Sequence, residues 1–241
     1  MASQKWARLR SVLSSYAIPS YLIAVALNFL SFYGTRVLYG LMEKWGVLTY
    51  YDLTIPWIDG FFERNAPDFR WFMLIYVMYF VFWLGGYWIL AGQERRFACS
   101  AFAAAILGEI VVTLFFVLLP TKLDRPVLEE SDVRTFWDWL TRFIYAADSP
   151  NNLFPSLHCY NSWMVFRCTL KCRNLPKGYK LFCGLACPLI CVSTLYVRQH
   201  LFADFVSAVA LAELCLFLES KVHAGRLLER LEQVLRKEKP V

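Results

Sequence analysis

Residues 71–91 read WFMLIYVMYFVFWLGGYWILA, a run of 21 residues without a charged side chain. A bilayer core about 30 Å thick is crossed by a helix of roughly 20 largely apolar residues, so the run predicts a transmembrane helix. The whole chain agrees, since 58% of its residues are apolar, 18% are charged and the mean hydropathy is +0.42. Soluble domains are about 45–50% apolar and about 25% charged. The composition excludes a soluble single domain and, with 17% aromatic residues, a disordered or nucleic-acid-coating chain.

Apolar runs of similar length recur along the chain and are bounded by charged residues. They predict an all-α polytopic membrane protein, a bundle of six transmembrane helices within residues 17–218, flanked by tails at 1–16 and 219–241. The fourth run is the weakest, because it is short and carries His158, Asn161 and Arg167. The six predicted spans are 17–41, 71–91, 97–119, 154–170, 179–197 and 201–218.

The distribution of Lys and Arg predicts the orientation of the bundle. The two tails and the two connections on their side carry 16 of these residues, whereas the opposite side carries 8 over much longer loops. Because basic residues favour the cytoplasmic side, both termini are expected there. The long connections 42–70 and 120–153 then face outward. Residues 219–241 predict a basic amphipathic helix on the cytoplasmic side, and the protein is expected in the plasma membrane.

Ionisable groups at the ends of predicted spans are the candidates for function, because such groups are costly near a membrane. His158 opens the fourth span, and His200 lies between the fifth and the sixth, on the same outward side. Asp204 follows His200 by four residues and would share a helix face with it. A carboxylate there can fix the imidazole tautomer and leave the other ring nitrogen free to attack. The spacing alone is also compatible with a purely structural pair.

Two further features indicate a site for an anion. Pro155-Ser156 begins the helix that carries His158, and a helix N-terminus offers free N–H groups to an anion. Arg125-Pro126 lies in the outward loop before it, and a guanidinium matches the geometry of a phosphate group. Together with the histidines, these residues favour phosphate chemistry at the outer face.

Arg125-Pro126, Pro155 to His158 and Ser193 to Asp204, in this order across six spans, resemble the type 2 phosphatidic acid phosphatase superfamily, most closely its inositol phosphorylceramide synthase-like branch. The resemblance implies a lipid phosphatase or phosphoesterase, with the active site outside the cytoplasm and a phosphohistidine intermediate on His200. Asp204 would orient that nucleophile, and His158 would protonate the leaving oxygen. Its partners would be membrane lipids and a lipid-phosphate substrate, with no nucleic acid, and no metal or other cofactor is implied. The residues implied to hold the phosphoryl oxygens are Arg125, Ser156, Leu157, Ser193 and Arg198.

The chain departs from the family pattern at two phosphate-binding cations. Leu118 stands where the family has a lysine seven residues before the arginine, and Thr194 stands where it has an arginine, with Arg198 displaced toward His200. Strict phosphatase activity is therefore not the only interpretation. A lipid phosphotransferase, moving a phosphorylated head group to a lipid acceptor, is the alternative. A third possibility is a non-enzymatic lipid-binding or transport protein that has kept the fold.

Overall fold

The computed structural model describes residues 15–236. Within that range the regular structure is helical, with nine α-helices, two 3-10 helices (Ala66–Phe69 and Glu130–Asp132) and no β-strand, which confirms the all-α prediction. The predicted tail 1–16 lies, but for its last two residues, outside this range, as do residues 237–241. The helices are α1 (Ile18–Lys44), α2 (Pro56–Asn65), α3 (Phe72–Ala91), α4 (Arg95–Leu118), α5 (Phe136–Ala147), α6 (Leu157–Lys171), α7 (Lys177–Tyr196), α8 (Phe202–Val222) and α9 (Gly225–Arg236).

Four of these helices, α1, α3, α4 and α7, are long and apolar enough to cross a membrane. They correspond to the predicted first, second, third and fifth spans. Helices α6 and α8 lie at the predicted fourth and sixth spans but do not meet the same criteria. Helix α6 has only 15 residues, and α8 carries Asp204, Glu213, Glu219 and Lys221. Four of the six predicted spans therefore have the length and composition of a membrane helix.

Helix α6 lies at the centre of the bundle and packs against α3, α4, α7 and α8. Its neighbours approach closely because Gly86 of α3 faces Val165 and Gly108 of α4 faces Tyr160, where an added Cβ would overlap the facing side chain. Arg167 of α6 forms an ion pair with Glu213 of α8. Since α6 is surrounded by protein, it can carry polar residues that a lipid-facing helix could not.

The two long connections fold over the same end of the bundle. The first contains α2, and the second contains α5, which begins with a capping box between Thr135 and Asp138. Asp138 also forms an ion pair with Arg70, which joins the two connections. Helix α2 packs against α7, and α5 packs against α3. The connections therefore form a layer over the ends of α6, α7 and α8.

At the other end, α9 packs against α4 and α1. Its Leu228 contacts the hydrophobic core, and its fully buried Glu232 accepts hydrogen bonds from the backbone N–H and the hydroxyl of Ser20. A carboxylate at this position caps the first turn of α1 and complements its dipole. Leu227, Leu231 and Val234 remain exposed on the opposite face of α9.

Candidate active site

The loop between α7 and α8 brings the candidate residues together at the end of the bundle that the long connections cover. Arg198 has a positive φ of 54°, which lets the chain reverse direction after α7. The backbone N–H groups of Gln199 and His200 both donate to the carbonyl of Thr194, at 2.9 and 3.1 Å. The N–H of Ser156 donates to the carbonyl of Asp204 at 3.2 Å, which ties the start of α6 to the start of α8. The backbone therefore fixes both histidines in one place.

The two histidines and the aspartate form a contiguous chain of side chains. Nε2 of His200 lies 3.3 Å from Nδ1 of His158, and Nδ1 of His200 lies 3.4 Å from Oδ2 of Asp204. The same aspartate oxygen accepts a hydrogen bond from the N–H of Leu201 at 2.7 Å, so the carboxylate is anchored to its own helix end. Asp204 is fully buried and His200 is 6% exposed. This arrangement gives His200 one oriented nitrogen and directs the other toward His158.

The charge of Asp204 sets the protonation of His200. Burial alone would lower the pKa of His200, but the nearby carboxylate of Asp204 acts in the opposite direction, with a further contribution from Asp148. The net effect raises the pKa of His200 above its ordinary value of 6.5. A neutral His200, the form that can act as a nucleophile, therefore needs a higher pH than an unperturbed imidazole would.

Asp59 of α2 holds the start of α8 and was not identified from the sequence. Its Oδ1 accepts from the N–H of Phe202 at 2.8 Å, and its Oδ2 accepts from the N–H of Ile55 at 2.7 Å. It is only 3% exposed. A side-chain oxygen at a helix N-terminus satisfies a backbone donor that would otherwise lack a partner. Asp59 thus positions the helix end on which Asp204 stands.

Ser156 and Leu157 lie at the N-terminus of α6, next to the histidines. The Ser156 hydroxyl accepts from the N–H of Cys159 at 3.3 Å, so it caps the helix. Leu157 contributes to the wall of a small cavity of about 30 Å³ that is also lined by both histidines. We call this cavity the histidine pocket. Its other polar lining residues are Asp148, Ser149, Asn151, Asn152 and Gln199.

Arg125 does not line the histidine pocket and contacts two residues that do. Its Nη1 donates to Oε1 of Gln199 at 3.0 Å, and its Nη2 donates to the carbonyl of Asp148 at 2.5 Å. The guanidinium lies over the ring of Tyr145, 4.5 Å from its centroid. Arg125 itself lines a larger cavity of about 390 Å³, which we call the outer vestibule. The contact with Gln199 is its link to the reacting groups.

Ser193 and Arg198, the other two predicted phosphate-binding residues, lie away from the histidine pocket. Ser193 is fully buried in α7, and its hydroxyl donates to the carbonyl of Ile190 at 2.7 Å. The Arg198 guanidinium lines the outer vestibule and lies 3.6 Å from the carboxylate of Glu63. Leu118, at the position of the family's lysine, is 73% exposed at the end of α4. The structure therefore brings together the histidines, Asp204, Ser156 and Leu157, with Arg125 adjacent, and places Ser193 and Arg198 elsewhere.

Asp148 is a second carboxylate at the site that sequence analysis missed. It follows α5, and its Oδ2 accepts a hydrogen bond from the hydroxyl of Tyr76 at 2.9 Å. The Tyr76 ring stacks on His158, with 4.7 Å between the ring centroids. Burial raises the pKa of Asp148, against the opposing effects of the Tyr76 hydrogen bond and the charges of His200 and Arg125. Asp148 thus adds an acceptor to the pocket wall.

A third cavity, of about 170 Å³, meets the site from the side of the bundle. It shares Phe32, Asp148, Leu157 and His158 with the histidine pocket. Its remaining lining is mostly aromatic and comes from α1 and α3, with Phe29, Tyr33 and Phe80 exposed on the flank of the bundle. An apolar route of this kind suits a hydrocarbon chain. We call it the lateral cavity.

Sequence analysis missed three residues of this site, Asp59, Asp148 and Gln199. Asp59 and Asp148 lie in the long connections, outside the motifs in the sequence. Gln199 was passed over between Arg198 and His200. Only the position of Gln199, directly before the candidate nucleophile, was a signal that could have identified it.

Within residues 15–236, no group of three His, Cys, Asp or Glu side chains is placed to hold a metal ion. No family model matches the chain, and comparisons with curated proteins and with solved structures find no match either.

Proposed function

We propose that the protein is an integral-membrane lipid phosphoesterase that acts through a phosphohistidine on His200. The observation that carries the proposal is the chain of contacts from His158 through His200 to Asp204, with separations of 3.3 and 3.4 Å. An imidazole held by a carboxylate on one nitrogen and open on the other is an activated nucleophile. The likeness of these residues to the type 2 phosphatidic acid phosphatase motifs supports the same chemistry.

In the proposed reaction, Nε2 of neutral His200 attacks phosphorus and forms an N–P bond while the bond from phosphorus to the leaving oxygen breaks. His158 gives that oxygen a proton, and the leaving group departs as an alcohol. In the second step, His158 takes a proton from water as the water oxygen attacks phosphorus. The N–P bond breaks and releases phosphate or a phosphomonoester. Because 3.3 Å between the nitrogens leaves no room for phosphorus, substrate binding must turn the His158 ring aside.

The lateral cavity supports a lipid substrate. Its aromatic walls continue to the exposed rings of Phe29 and Tyr33 on α1 and Phe80 on α3, where an acyl chain can remain among the helices while the phosphate reaches His158. We place α6 and α8 in the membrane with the four apolar helices, giving six spans, because α6 is enclosed by its neighbours. The bias of Lys and Arg supports cytoplasmic termini and a histidine pocket at the opposite face of the membrane. We propose the plasma membrane as that membrane.

Transfer to a second lipid is the alternative outcome of the same chemistry. It is favoured by the burial of His200, since a nucleophile that is 6% exposed is shielded from bulk water. The lateral cavity would admit a hydroxylated lipid acceptor by the same route as the donor. In that case the acceptor oxygen, rather than water, attacks the phosphohistidine.

The test is a substrate panel with the purified full-length protein in detergent micelles. Phosphatidic acid and several glycerophospholipids are supplied singly, with and without a hydroxylated lipid acceptor. Release of phosphate or a phosphoalcohol without acceptor supports hydrolysis, and a new lipid formed only with acceptor supports transfer. If neither product forms with any donor, the proposal is contradicted. The His200→Ala variant is the matched control.

A further inference from the structure

Gln199 stands between the outer vestibule and the histidine pocket. It directly precedes His200, is 3% exposed and lines the histidine pocket. Its Oε1 accepts from Arg125 at 3.0 Å. Its Nε2 is buried and, among the residues that the structure describes, has no hydrogen-bond partner. A buried amide N–H without a partner is unfavourable, so it calls for an explanation.

The orientation of this amide follows from chemistry. A guanidinium has only donors, so the amide atom that faces Arg125 must be the oxygen. Arg125 is itself held by the carbonyl of Asp148 and by its contact with the Tyr145 ring. The Nε2 group is therefore held on the side of the amide away from Arg125, as a fixed and unused donor.

Two other polar side chains of the histidine pocket, Asn152 and Asp148, are engaged elsewhere or unsuited to the task of this donor. Asn152 already donates through Nδ2 to Thr35 at 2.7 Å, which leaves its Oδ1 without a partner within residues 15–236. Asp148 offers carboxylate oxygens, which repel the oxygens of a phosphoryl group. Arg125 and Arg198 line the outer vestibule. Gln199 thus supplies a buried side-chain donor without a partner beside the two histidines.

We propose that Gln199 is a catalytic residue whose Nε2–H donates to a non-bridging phosphoryl oxygen as His200 attacks, and that Arg125 is a positioning residue acting through Gln199. The inference rests on the proposed phosphohistidine chemistry and names a ligand for the phosphoryl group within it. A neutral amide, held in place before the reaction, stabilises the charge that develops on the phosphoryl oxygens. In this sequence, Leu118 and Thr194 stand in place of two cations of the family pattern, so a neutral donor takes on that role.

The test compares Gln199→Glu with Gln199→Met in the full-length protein. Glutamate keeps the length of the side chain and an acceptor for Arg125, so it preserves a structural role while removing the donor. Methionine keeps the approximate volume and adds no charge. Both variants are expected to lose about 10²-fold or more in kcat, the scale for one lost transition-state donor. A smaller change in KM is expected, because the contact strengthens in the transition state.

Two further measurements separate the alternatives. Orthovanadate, which mimics the five-coordinate phosphoryl group, is expected to raise the Tm of the wild type and not that of Gln199→Glu. Arg125→Ala is expected to reduce kcat in the wild type and to add little in the Gln199→Met background, because residues acting through one contact are not additive. Equal kcat losses in both backgrounds would contradict a positioning role for Arg125.

The outcomes distinguish this inference from the proposed function. An active wild type with a Gln199→Glu variant within about threefold of it, well below the loss expected of a transition-state donor, would overturn the role of Gln199 and leave the phosphohistidine intact. A wild type that turns over no lipid phosphate and is not stabilised by vanadate would overturn both. A loss of activity in both variants, with Tm values near that of the wild type before vanadate is added, supports the assignment.

Discussion

The histidine pocket and the outer vestibule are neighbouring cavities with different chemistry. The pocket, about 30 Å³, is lined by both histidines and by neutral amides, with Asp148 as its carboxylate. The vestibule, about 390 Å³, is lined by Arg70, Arg125 and Arg198. Two of those arginines lie against carboxylates, Arg70 with Asp138 and Arg198 with Glu63.

Under the proposed function, the two cavities separate attraction of the anion from stabilisation of the reacting phosphoryl group, two roles that are usually combined in a phosphate site. In that function, the vestibule arginines attract an anionic head group over several ångströms, an effect that is weakened by salt and by their own partners Asp138 and Glu63. The groups that touch the reacting atoms lie deeper and carry little positive charge. We therefore expect substitutions in the pocket to change the chemical step, as should a substitution of Arg125, because it holds Gln199. Substitutions of the other two vestibule arginines should change mainly binding and its salt dependence.

The largest effect is expected for His200→Ala. Without the nucleophile, the covalent step is lost, and turnover should fall by about 10⁴-fold or more, the scale for removing such a group. Product release from the lipid panel measures it. A variant that keeps a tenth of the activity would show that the pocket does not contain the nucleophile.

His158→Ala should cost about 10²–10⁴-fold with natural lipid substrates, since it removes the general acid. With p-nitrophenyl phosphate, whose leaving group needs no proton, the loss should be much smaller. Comparing kcat on the two substrates measures the difference. Equal losses on both would refute the role of His158 as the acid.

Asp204→Asn should shift the pH profile as well as lower the rate, by about 10²-fold at the optimum because the tautomer of His200 is no longer fixed. In the wild type, activity is expected to rise with pH as His200 loses its proton. Because the pKa of His200 is raised, this acidic limb of the pH profile lies above pH 6.5. Removing the negative charge lowers that pKa, so the acidic limb should move to lower pH. The pH dependence of kcat/KM tests this, and an unmoved limb would contradict the account.

Arg198→Ala should have the smallest effect, within about threefold in kcat, because its contacts with Glu63 and the carbonyls of Asp59 and Asp124 are all outside the pocket. Arg125→Ala is the matched comparison and should cost at least tenfold more in kcat. Measuring both at two salt concentrations tests the comparison of the two cavities. A kcat loss for Arg198→Ala larger than that for Arg125→Ala would show that Arg198 takes part in the chemical step from the vestibule.

The parts of the fold that follow from local patterns were predictable. The uncharged run 71–91 and the apolar runs 17–41, 97–119 and 179–197 predicted, within three residues, the bounds of the four helices that are long and apolar enough to cross a membrane. They were predictable because lipid imposes length and composition on a helix that faces it. Helix α6 could not be judged in this way, since Asn161 and Arg167 find their partners on neighbouring helices rather than in its own sequence. The fixed spacing of His200 and Asp204 likewise identified their contact.

The remainder of the site depends on long-range packing. Asp59 and Asp148 come from the two long connections. The helices of these connections, α2 and α5, meet the bundle through contacts between residues distant in the sequence, which a local hydrophobic periodicity does not predict. The direction of the Arg198 side chain could not be read from its position two residues before His200, because its positive φ turns it toward the vestibule.

The central claim is that His200 becomes phosphorylated during turnover. Wild-type protein and the His200→Ala and Asp204→Asn variants are mixed with a ³²P-labelled lipid phosphate from the active panel, quenched within milliseconds and separated under alkaline conditions. The account predicts a label on the wild type that is stable in base, labile in acid and located on the peptide containing His200, and no label on His200→Ala. Rapid turnover by the wild type without such a label, or a label that persists in His200→Ala, would contradict it.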